Sequence, residues 1–233
     1  MSLQKPGLYI ISTPIGNLKD ITLRALETLQ ECDVVLAEDT RKAKILFQTY
    51  KIDSPLKSFR IHQIRSDIEF AKNKLTEKKA VGFITDAGTP GISDPVSHLV
   101  RFVRENLPEV PIIPIPGPSA LSTILSVSGW QTNPTLFLGF LSSKKTRRKQ
   151  TLLEYKAFEG CIVIFESVHR VFELLEEVRE VFPEREILIG REMTKKFENF
   201  YLFPPYQLDK SMIPPKGEFT ILIAPSKEKK SSP

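Results

Sequence analysis

The segment TDAGTPGISDP, residues 85–95, combines residue types that suit ligand binding and follows the apolar run AVGFI. Gly88 and Gly91 can adopt positive φ and let a ligand approach the backbone, and the two prolines stiffen the loop. Asp94, or Ser93 before it, is suited to cap the helix that follows. A loop with few fixed charges favours a polar ligand that is not strongly anionic. The alternative is a tight strand-to-helix connection in which Asp94 is only a cap.

Six other apolar runs also end in polar residues, glycine or proline. The segments at these ends are STPIGNLKD, AEDTR, PGPSA, GF, ESVHR and EMTK. In open α/β sheets, ligands bind outside the carboxyl ends of the strands. Seven such segments in series therefore predict a ligand crevice along this edge.

Several common kinds of site are missing from the sequence. It has no GxxxxGK[ST] loop, no GxGxxG after the first strand and no GxSxG, which argues against a phosphate-cradling loop, an ordinary dinucleotide site and a hydrolase elbow. His62, His98 and His169 have no HxxxH or CxxC spacing around them, so we predict no metal, and His98 fits a packing position. Glu166 and Arg170, four residues apart, suit either a cap with an ion pair or a functional role.

The composition is that of an ordinary globular protein, with 41% apolar and 26% charged residues in a chain of 233. No apolar run approaches the roughly 20 residues that a membrane span needs. The N-terminus has no signal-peptide cleavage pattern. Cys32 and Cys161 are expected to be buried thiols rather than a disulfide. We therefore predict a cytoplasmic location.

Positive charge is concentrated in one segment, although the net charge of +5 is mild. Residues 144–149, KKTRRK, contain five cations in six positions. Such a run is either a solvated helix start or a patch that contacts phosphates, because Lys and Arg supply most sequence-independent affinity for nucleic acid. The KEKK segment near the C-terminus is predicted to be a solvated tail.

Hydrophobic periodicity predicts alternating strands and helices over residues 7–115, and therefore a mostly parallel sheet with helices on its faces. Asp20 and Thr40 are candidate caps of the first two helices. In the second half, NFYLF and GEFTILIAP are consecutive strands, so part of that sheet should be antiparallel. The breakers in PIPGPS predict a boundary between an N-terminal α/β domain, 1–117, and a C-terminal α/β domain, 118–233.

Eight motifs in this order carry a family resemblance that extends over residues 7–224. They are STPIGNLKDITLRALETL, AEDTRKAKILF, TDAGTPGISDP, PIPGPSAL, FLGFL, ESVHR, REMTKKFE and KGEF. The sequence resembles the ribosomal RNA small subunit methyltransferase I family, within the tetrapyrrole-methylase-like group. The resemblance implies that group's two-domain α/β fold, with a mostly parallel N-terminal sheet and a mixed C-terminal sheet, and a homodimer. It further implies S-adenosylmethionine in the cleft between the domains and 2′-O-methylation of a cytidine ribose in 16S ribosomal RNA of the small ribosomal subunit.

The resemblance also assigns candidate site residues. The implied cofactor site consists of Pro14, Asp86, Gly88, Ile92, Ser119 and Ala120, with support from Gly139, Phe140, Glu166 and Ser167. A ribose hydroxyl is a poor nucleophile until its proton leaves, so a general base or an oxyanion-stabilising cation is expected. The candidates, which the sequence does not rank, are Glu38 or Asp39, Glu166, and Glu192 with Lys195. The expected RNA-facing cations are Arg41, Lys144, Lys145, Arg147, Arg148, Lys149, Arg170 and Lys195.

Two other functions remain open at this point: a small-molecule methyltransferase of the tetrapyrrole type, and a non-catalytic RNA-binding protein on the same scaffold. Tetrapyrrole methylases open with a GxGxGD-like turn, whereas this chain has STPIGNLKD, and its basic run suits RNA better. The intact cofactor-loop motifs favour an enzyme. The chain departs from the family at SFRIHQIRSD, where it keeps His62 but not the family's full acidic set, so substrate chemistry is hard to assign there.

Overall fold

The computed structural model describes residues 3–204 and 206–226. The KEKK segment, predicted to be a solvated tail, lies outside these residues. The chain divides into two compact units, Met1–Ser119 and Ala120–Pro233. The division falls two residues after the predicted boundary.

The N-terminal unit is built from alternating strands and helices. Its strands are β1 (Gly7–Ile11), β2 (Val34–Ala37), β3 (Leu56–Ser58), β4 (Ala80–Ile84) and β5 (Ile112–Ile115), and its helices are α1 (Leu23–Glu31), α2 (Thr40–Tyr50), α3 (Ile64–Thr76) and α4 (Val96–Asn106). The five strands are all parallel and form one sheet in the order β3-β2-β4-β1-β5. The prediction of a parallel sheet in this half is therefore confirmed.

Side chains alternate between the two faces of this sheet because successive strand residues point in opposite directions. Val35 and Ala37 of β2 pack in one apolar cluster with residues of α1 and α2. Val34 and Leu36 pack in a second cluster with residues of α3 and α4. Helices thus cover both faces, and polar side chains collect at the carboxyl edge of the strands.

The helix starts differ from the predicted ones by two residues in α1 and one in α2. The chain makes a 3-10 turn at Leu18–Asp20, so α1 begins later and Thr22, not Asp20, caps it by accepting from the Ala25 N–H at 3.1 Å. Asp39 rather than Thr40 caps α2, accepting from the Arg41 N–H at 2.9 Å.

The C-terminal unit contains a mixed sheet, as predicted. Its elements are α5 (Ala120–Ser126), β6 (Thr135–Phe140), α6 (Lys145–Glu154), β7 (Cys161–Ser167), α7 (Val171–Val181), β8 (Ile187–Arg191), β9 (Asn199–Phe203) and β10 (Glu218–Ile223). The strand order is β6-β7-β10-β8-β9, in which only β6 and β7 pair in parallel. Because β10 runs antiparallel to both β7 and β8, the carboxyl ends of β6, β7 and β8 lie at one edge of this sheet.

Cys32 and Cys161 are buried free thiols, as predicted. Burial raises the pKa of Cys32 to about 12. Among the described residues, no helix is long and apolar enough to cross a membrane. Within the same part of the chain, no three His, Cys, Asp or Glu side chains come together as a metal site.

Candidate functional site

The loops after β1 and β4 are joined by their backbones at the carboxyl edge of the N-terminal sheet. The Thr13 N–H donates to the Gly88 carbonyl at 2.9 Å, and the Gly88 N–H donates back at 3.0 Å. Gly88 has a φ of +83°, and a Cβ at this position would lie 3.2 Å from Ile15 Cγ2. Both facts favour glycine here, because a side chain would be strained at positive φ and would need space that Ile15 occupies.

Short hydroxyl side chains connect a third loop, the one after β5, to the same edge. Thr89 Oγ1 donates to the Pro118 carbonyl at 3.0 Å and accepts from Ser12 Oγ at 3.1 Å. At Gly117 a Cβ would lie 2.9 Å from Ser12 Cβ, so the β5 loop passes close to the β1 loop. The edge formed by β1, β4 and β5 is therefore lined by backbone groups and hydroxyls rather than by charges.

The residues expected to bind the cofactor in the N-terminal unit lie in these loops. Pro14 and Gly88 are buried, and Ile92 and Ser119 are partly exposed. Ala120, the next expected residue, begins α5 in the C-terminal unit. The loop geometry suits a polar ligand without a large negative charge, as the sequence indicates, but the binding role of each residue stays a prediction.

Gly139 and Phe140, expected to support the cofactor, are the last two residues of β6. Gly139 has a φ of +60° and follows an irregularity in the pairing of β6 with β7. Phe140 is exposed, with its ring edge-on to Phe165 at 5.7 Å between centroids. An exposed ring at a strand end is available to a ligand, and its role as a cofactor contact stays a prediction.

Glu38, directly after β2, is held against the β4 loop. Its Oε2 accepts from Thr85 Oγ1 at 2.7 Å and from the Asp86 N–H at 3.2 Å. Burial, reinforced by the charges of Asp86 and Asp94, raises the pKa of Glu38 above its ordinary value, against the two hydrogen bonds that lower it. A half-buried carboxylate with a raised pKa is a suitable general base.

Asp86 has a structural task that the sequence does not reveal. Its Oδ1 accepts from the Asp39 N–H at 3.0 Å, and its Oδ2 accepts from Lys42 Nζ at 2.7 Å. The carboxylate thus ties the start of α2 to the β4 loop. Its predicted contact with the cofactor would use the remaining acceptor capacity of these oxygens.

Arg41 presents a cation at the same edge. Its side chain is 87% exposed and forms an ion pair with Asp39, with Nη2 2.6 Å from Oδ2. The hydrogen bonds from Arg41 hold the pKa of Asp39 far below its ordinary value, so Asp39 is a poor proton acceptor. Of the two neighbouring acids, Glu38 is the better candidate base.

The start of α4 differs from the sequence prediction at two positions. The N-cap is Pro95, one residue after Asp94, and its side chain makes no capping hydrogen bond. Asp94 still fixes the turn before α4, because its Oδ1 accepts from the Val96 N–H at 3.0 Å and its Oδ2 accepts from the Gly91 N–H at 2.6 Å. His98, predicted to pack inside, is exposed on α4. The reason is its phase on the helix, since Val96, Leu99 and Val103 are the residues that face the core.

Glu166 lies at the end of β7 in the C-terminal unit, with its side chain fully buried. Its Oε1 is 2.7 Å from Arg170 Nη2 and accepts from the Ser167 N–H at 2.7 Å. The predicted i,i+4 ion pair is therefore present, and Arg170 also donates to the Leu141 carbonyl at 3.3 Å. Glu166 Oε2 is buried without a hydrogen-bond partner among the described residues.

Lys195 follows β8 at the same edge of the second sheet and is held by two carboxylates. Its Nζ is 3.0 Å from Glu192 Oε1 and 2.9 Å from Glu218 Oε2. Burial alone would lower the pKa of Lys195, but the two carboxylates outweigh it and raise the pKa. Lys195 is therefore a permanent cation, suited to stabilise an anion rather than to accept a proton.

The basic run KKTRRK covers the start of α6, and one of its members contradicts the prediction. Lys144, Lys145 and Arg147 are exposed. Arg148 is fully buried; its Nε is 2.7 Å from Glu177 Oε2, and its Nη2 is 2.8 Å from Oε1. Arg148 is therefore a core ion pair and not an RNA contact, because its phase on α6 turns it toward α7.

Lys149 occupies an intermediate position. Its Nζ is 2.6 Å from Glu180 Oε1, and its side chain remains partly exposed. The exposed basic surface of α6 is thus formed by Lys144, Lys145 and Arg147, with Lys149 at its margin.

Sequence reasoning did not single out Ser12, Thr13, Thr85 or Thr89, although their hydroxyls join the loops of the N-terminal edge. Three of them lie at a strand end, since β1 ends at Ile11 and β4 ends at Ile84. Short hydroxyl residues at the ends of neighbouring parallel strands are the signal that would have found them.

Comparisons with known proteins identify a matching family and similar individual sequences. Residues 7–209 match the family described as Tetrapyrrole (Corrin/Porphyrin) Methylases. The Ribosomal RNA small subunit methyltransferase I of Leptospira biflexa is 44% identical over 223 residues, which cover 94% of this chain and 91% of that protein.

Solved structures show the same fold at low sequence identity. The methyltransferase CobJ superposes with a TM-score of 0.70 at 15% identity, covering 94% of both chains. The uroporphyrin-III C-methyl transferase from Thermus thermophilus, complexed with S-adenyl homocysteine, superposes with a TM-score of 0.64 at 15% identity, covering 94% of this chain and 97% of that one. These structural likenesses concern the fold alone.

Proposed function

Because the chain belongs to the tetrapyrrole methylase family, and within it to the ribosomal RNA small subunit methyltransferase I family, we propose that it methylates 16S ribosomal RNA with S-adenosylmethionine. The acceptor is the 2′-hydroxyl of a cytidine ribose. The observation that carries this proposal is Glu38, a half-buried carboxylate of raised pKa fixed beside the glycine-containing β4 loop.

The residues present fit S-adenosylmethionine, which supplies an electrophilic methyl group when bound. Gly88 lets the β4 loop pack closely against Ile15 and the Pro118 carbonyl, and the backbone edge that these loops form is the surface proposed to face the cofactor. In the C-terminal unit, Glu166 Oε2 is suited to accept a hydrogen bond from an amine or hydroxyl of the cofactor. Joint contact of these residues with one cofactor molecule stays a prediction.

Glu38 is the residue we assign to the proton of the 2′-hydroxyl. Its hydrogen bonds from Thr85 and Asp86 both go to Oε2, so Oε1 is the oxygen available for the proton. Glu166 is less suitable, because its charge is already compensated by Arg170 inside the protein. Lys195 is a cation and is assigned to a phosphate or a developing oxyanion.

RNA is proposed to contact the exposed cations. On α6 these are Lys144, Lys145 and Arg147, and on α2 the candidate is Arg41. Lys and Arg on a surface neutralise backbone phosphates and release counterions, which supports affinity without reading sequence. Arg148 is removed from this set because it is buried.

The test is a pair of measurements on the purified chain. Titration calorimetry should show binding of S-adenosylhomocysteine, and purified small ribosomal subunits should acquire a 2′-O-methylcytidine in the presence of S-adenosylmethionine. Binding without methylation of subunits or RNA would favour a small-molecule methyltransferase. If S-adenosylhomocysteine binds neither with RNA present nor without it, a non-catalytic RNA-binding protein would be favoured.

We also propose a homodimer and a cytoplasmic location, the place where small ribosomal subunits are assembled and modified. The support for both is family membership. Light scattering during size-exclusion chromatography tests the dimer, since a mass near that of one 26.5 kDa chain would contradict it.

A further inference from the structure

A shallow, open pocket of about 630 Å³ lies at the carboxyl ends of β2, β3 and β4 in the N-terminal unit. Such a volume is within the usual range of small-ligand sites. The lining comes from the segments that follow these three strands and from the first turn of α4. The lining includes Glu38, Phe59, Arg60, His62, Asp94 and His98.

Ring packing and hydrogen bonds fix the walls of this pocket. Phe59 is fully buried against Phe83, with ring centroids 5.3 Å apart, and its N–H donates to the Ala37 carbonyl at 2.8 Å. The Arg60 N–H donates to Asp67 Oδ2 at 2.9 Å. The two hydrogen bonds accepted by Asp94 hold the other wall. The site is therefore formed before any ligand binds.

The chemistry of the lining favours a nucleobase over a phosphate. Arg60, His62 and His98 are exposed side chains with flat, π-bonded groups. Unstacked RNA bases bind to proteins by stacking on aromatic rings, imidazoles and guanidinium planes. Glu38 and Asp94 place two carboxylates in the same pocket, which disfavours a phosphate there.

The position of the pocket places it next to the proposed cofactor loops. The β4 strand lies between β2 and β1 in the sheet, so the two halves of its loop face different neighbours. The first half, at Gly88 and Thr89, bonds to the β1 and β5 loops. The second half, from Gly91 to Asp94, lines the pocket together with Glu38. One loop thus contributes both to the proposed donor side and to the adjacent pocket that contains the proposed base.

We propose that this pocket receives one unstacked nucleotide of the RNA substrate, with its base against Arg60, His62 and His98 and its ribose toward Glu38. The inference rests on the proposed function, which supplies both the RNA substrate and the role of Glu38. It assigns a substrate role to the SFRIHQIRSD segment and to His98, neither of which the family motifs explain.

The three histidines of the chain provide the test on the unaltered protein. In the presence of S-adenosylhomocysteine, the imidazole proton resonances are followed by NMR during titration with cytidine 5′-monophosphate and, separately, with ribose 5-phosphate. Single variants His62→Gln and His98→Gln assign the resonances. We expect the nucleotide to shift the His62 and His98 resonances upfield through the ring current of the base, while His169, outside the pocket, stays in place. Ribose 5-phosphate should leave the His62 and His98 resonances unshifted.

Two results would overturn the inference. Equal shifts with ribose 5-phosphate would identify a phosphate site, and no shift with saturating cytidine monophosphate would show that no base binds there. As a second measurement, the double variant His62→Ala/His98→Ala should weaken cytidine monophosphate binding at least about tenfold, as expected when stacking is removed. His169→Ala is the matched control and should leave that affinity unchanged.

The calorimetry and the subunit methylation assay separate this inference from the proposed function. If the protein methylates subunits but cytidine monophosphate does not shift the histidine resonances, only the pocket assignment is wrong. If His62 and His98 respond to the base but no methyl group is transferred, only the proposed function is wrong.

Discussion

At the scale of single residues, Gly88 sets how closely the β4 loop packs against Ile15 of the β1 loop. We expect Gly88→Val to weaken S-adenosylhomocysteine binding by at least about tenfold, because the residue has a φ of +83° and a side chain would meet Ile15. Titration calorimetry measures this affinity.

Gly129 offers a matched control for that substitution. It has a similar φ of +71°, but no atom lies within 4 Å of a Cβ placed there. Gly129→Val therefore carries a similar backbone cost of roughly 1–2 kcal/mol without displacing the β1 loop. An equal loss of affinity in both variants would show that general backbone strain, and not displacement of the loops at the proposed site, is responsible.

Glu38 gives the second residue-scale prediction. Glu38→Gln should lower kcat about 10²–10⁴-fold, the usual contribution of a general base, while S-adenosylhomocysteine binding is retained. A base acts when deprotonated, and burial raises the pKa of Glu38, so wild-type kcat should fall as pH drops through that raised value. The pH profile of kcat should lose this acid limb in the variant.

Thr85→Val supplies a test of the same carboxylate without removing it. The Thr85 hydroxyl lowers the pKa of Glu38 by donating to Oε2 at 2.7 Å. Removing this hydroxyl should raise the pKa further and move the acid limb of kcat to higher pH. An unmoved limb in this variant, or a Glu38→Gln enzyme that keeps its kcat, would remove Glu38 from the proton transfer.

At the scale of elements, α6 divides its cations between surface and core. Neutralising Lys145 and Arg147 to glutamine should weaken RNA binding and reduce the slope of log affinity against log salt by about 0.7 for each phosphate that is no longer neutralised. Fluorescence anisotropy over a salt series measures this slope. Lys78→Gln, which changes an exposed cation just before β4 and so at the opposite end of that strand from the site loops, is the control and should leave the slope as it is.

Arg148, the residue after Arg147 on α6, should affect stability instead. Arg148→Gln leaves the Glu177 carboxylate buried without its partner, and breaking a buried pair in this way costs about 3–5 kcal/mol. Urea unfolding measures this decrease in the free energy of unfolding. Lys149→Gln, which breaks the more exposed pair with Glu180, should cost less than about 1 kcal/mol.

The double variant Arg148→Met/Glu177→Leu distinguishes the charge effect from the packing effect. Replacing both buried partners by apolar side chains removes the desolvation penalty and should restore most of the stability. If the double variant were as unstable as the single one, the pair would matter through shape rather than charge.

At the scale of the whole molecule, cofactor binding should be linked to folding. A ligand that binds only the native state at about 100 times its Kd raises the free energy of unfolding by about 2.7 kcal/mol. We expect S-adenosylhomocysteine to produce this increase in urea unfolding of the full chain. Gly88→Val should lose the increase at the same ligand concentration, whereas Gly129→Val should keep it.

The architecture of the whole chain is largely readable from its sequence. Hydrophobic periodicity is a local property, so the alternation of strands and helices, the parallel first sheet and the mixed second sheet follow from it. Errors occurred where local signals compete. Asp20 and Thr22 are both good caps, and only the 3-10 turn at Leu18–Asp20 decides between them.

The family, the two sheets with their helices and the loops that carry the proposed site residues can all be read from the order of residues along the chain. Which of these residues come into contact is set by the packing of strands and helices that are distant in the sequence. Strand β2 pairs with β4, although α2, β3 and α3 lie between them in the chain, and this pairing brings Glu38 to Thr85.

The register of this pairing sets Ala37 opposite Ile84, and the residues that follow them therefore meet at the sheet edge. Tertiary packing also explains Arg148. The sequence predicts a surface cation, but α6 packs against α7, and Arg148 forms a buried ion pair with Glu177. Such contacts join residues far apart in the chain. They depend on strand order and on which helices pack together, which are set by the packing of whole elements and leave no local pattern in the sequence.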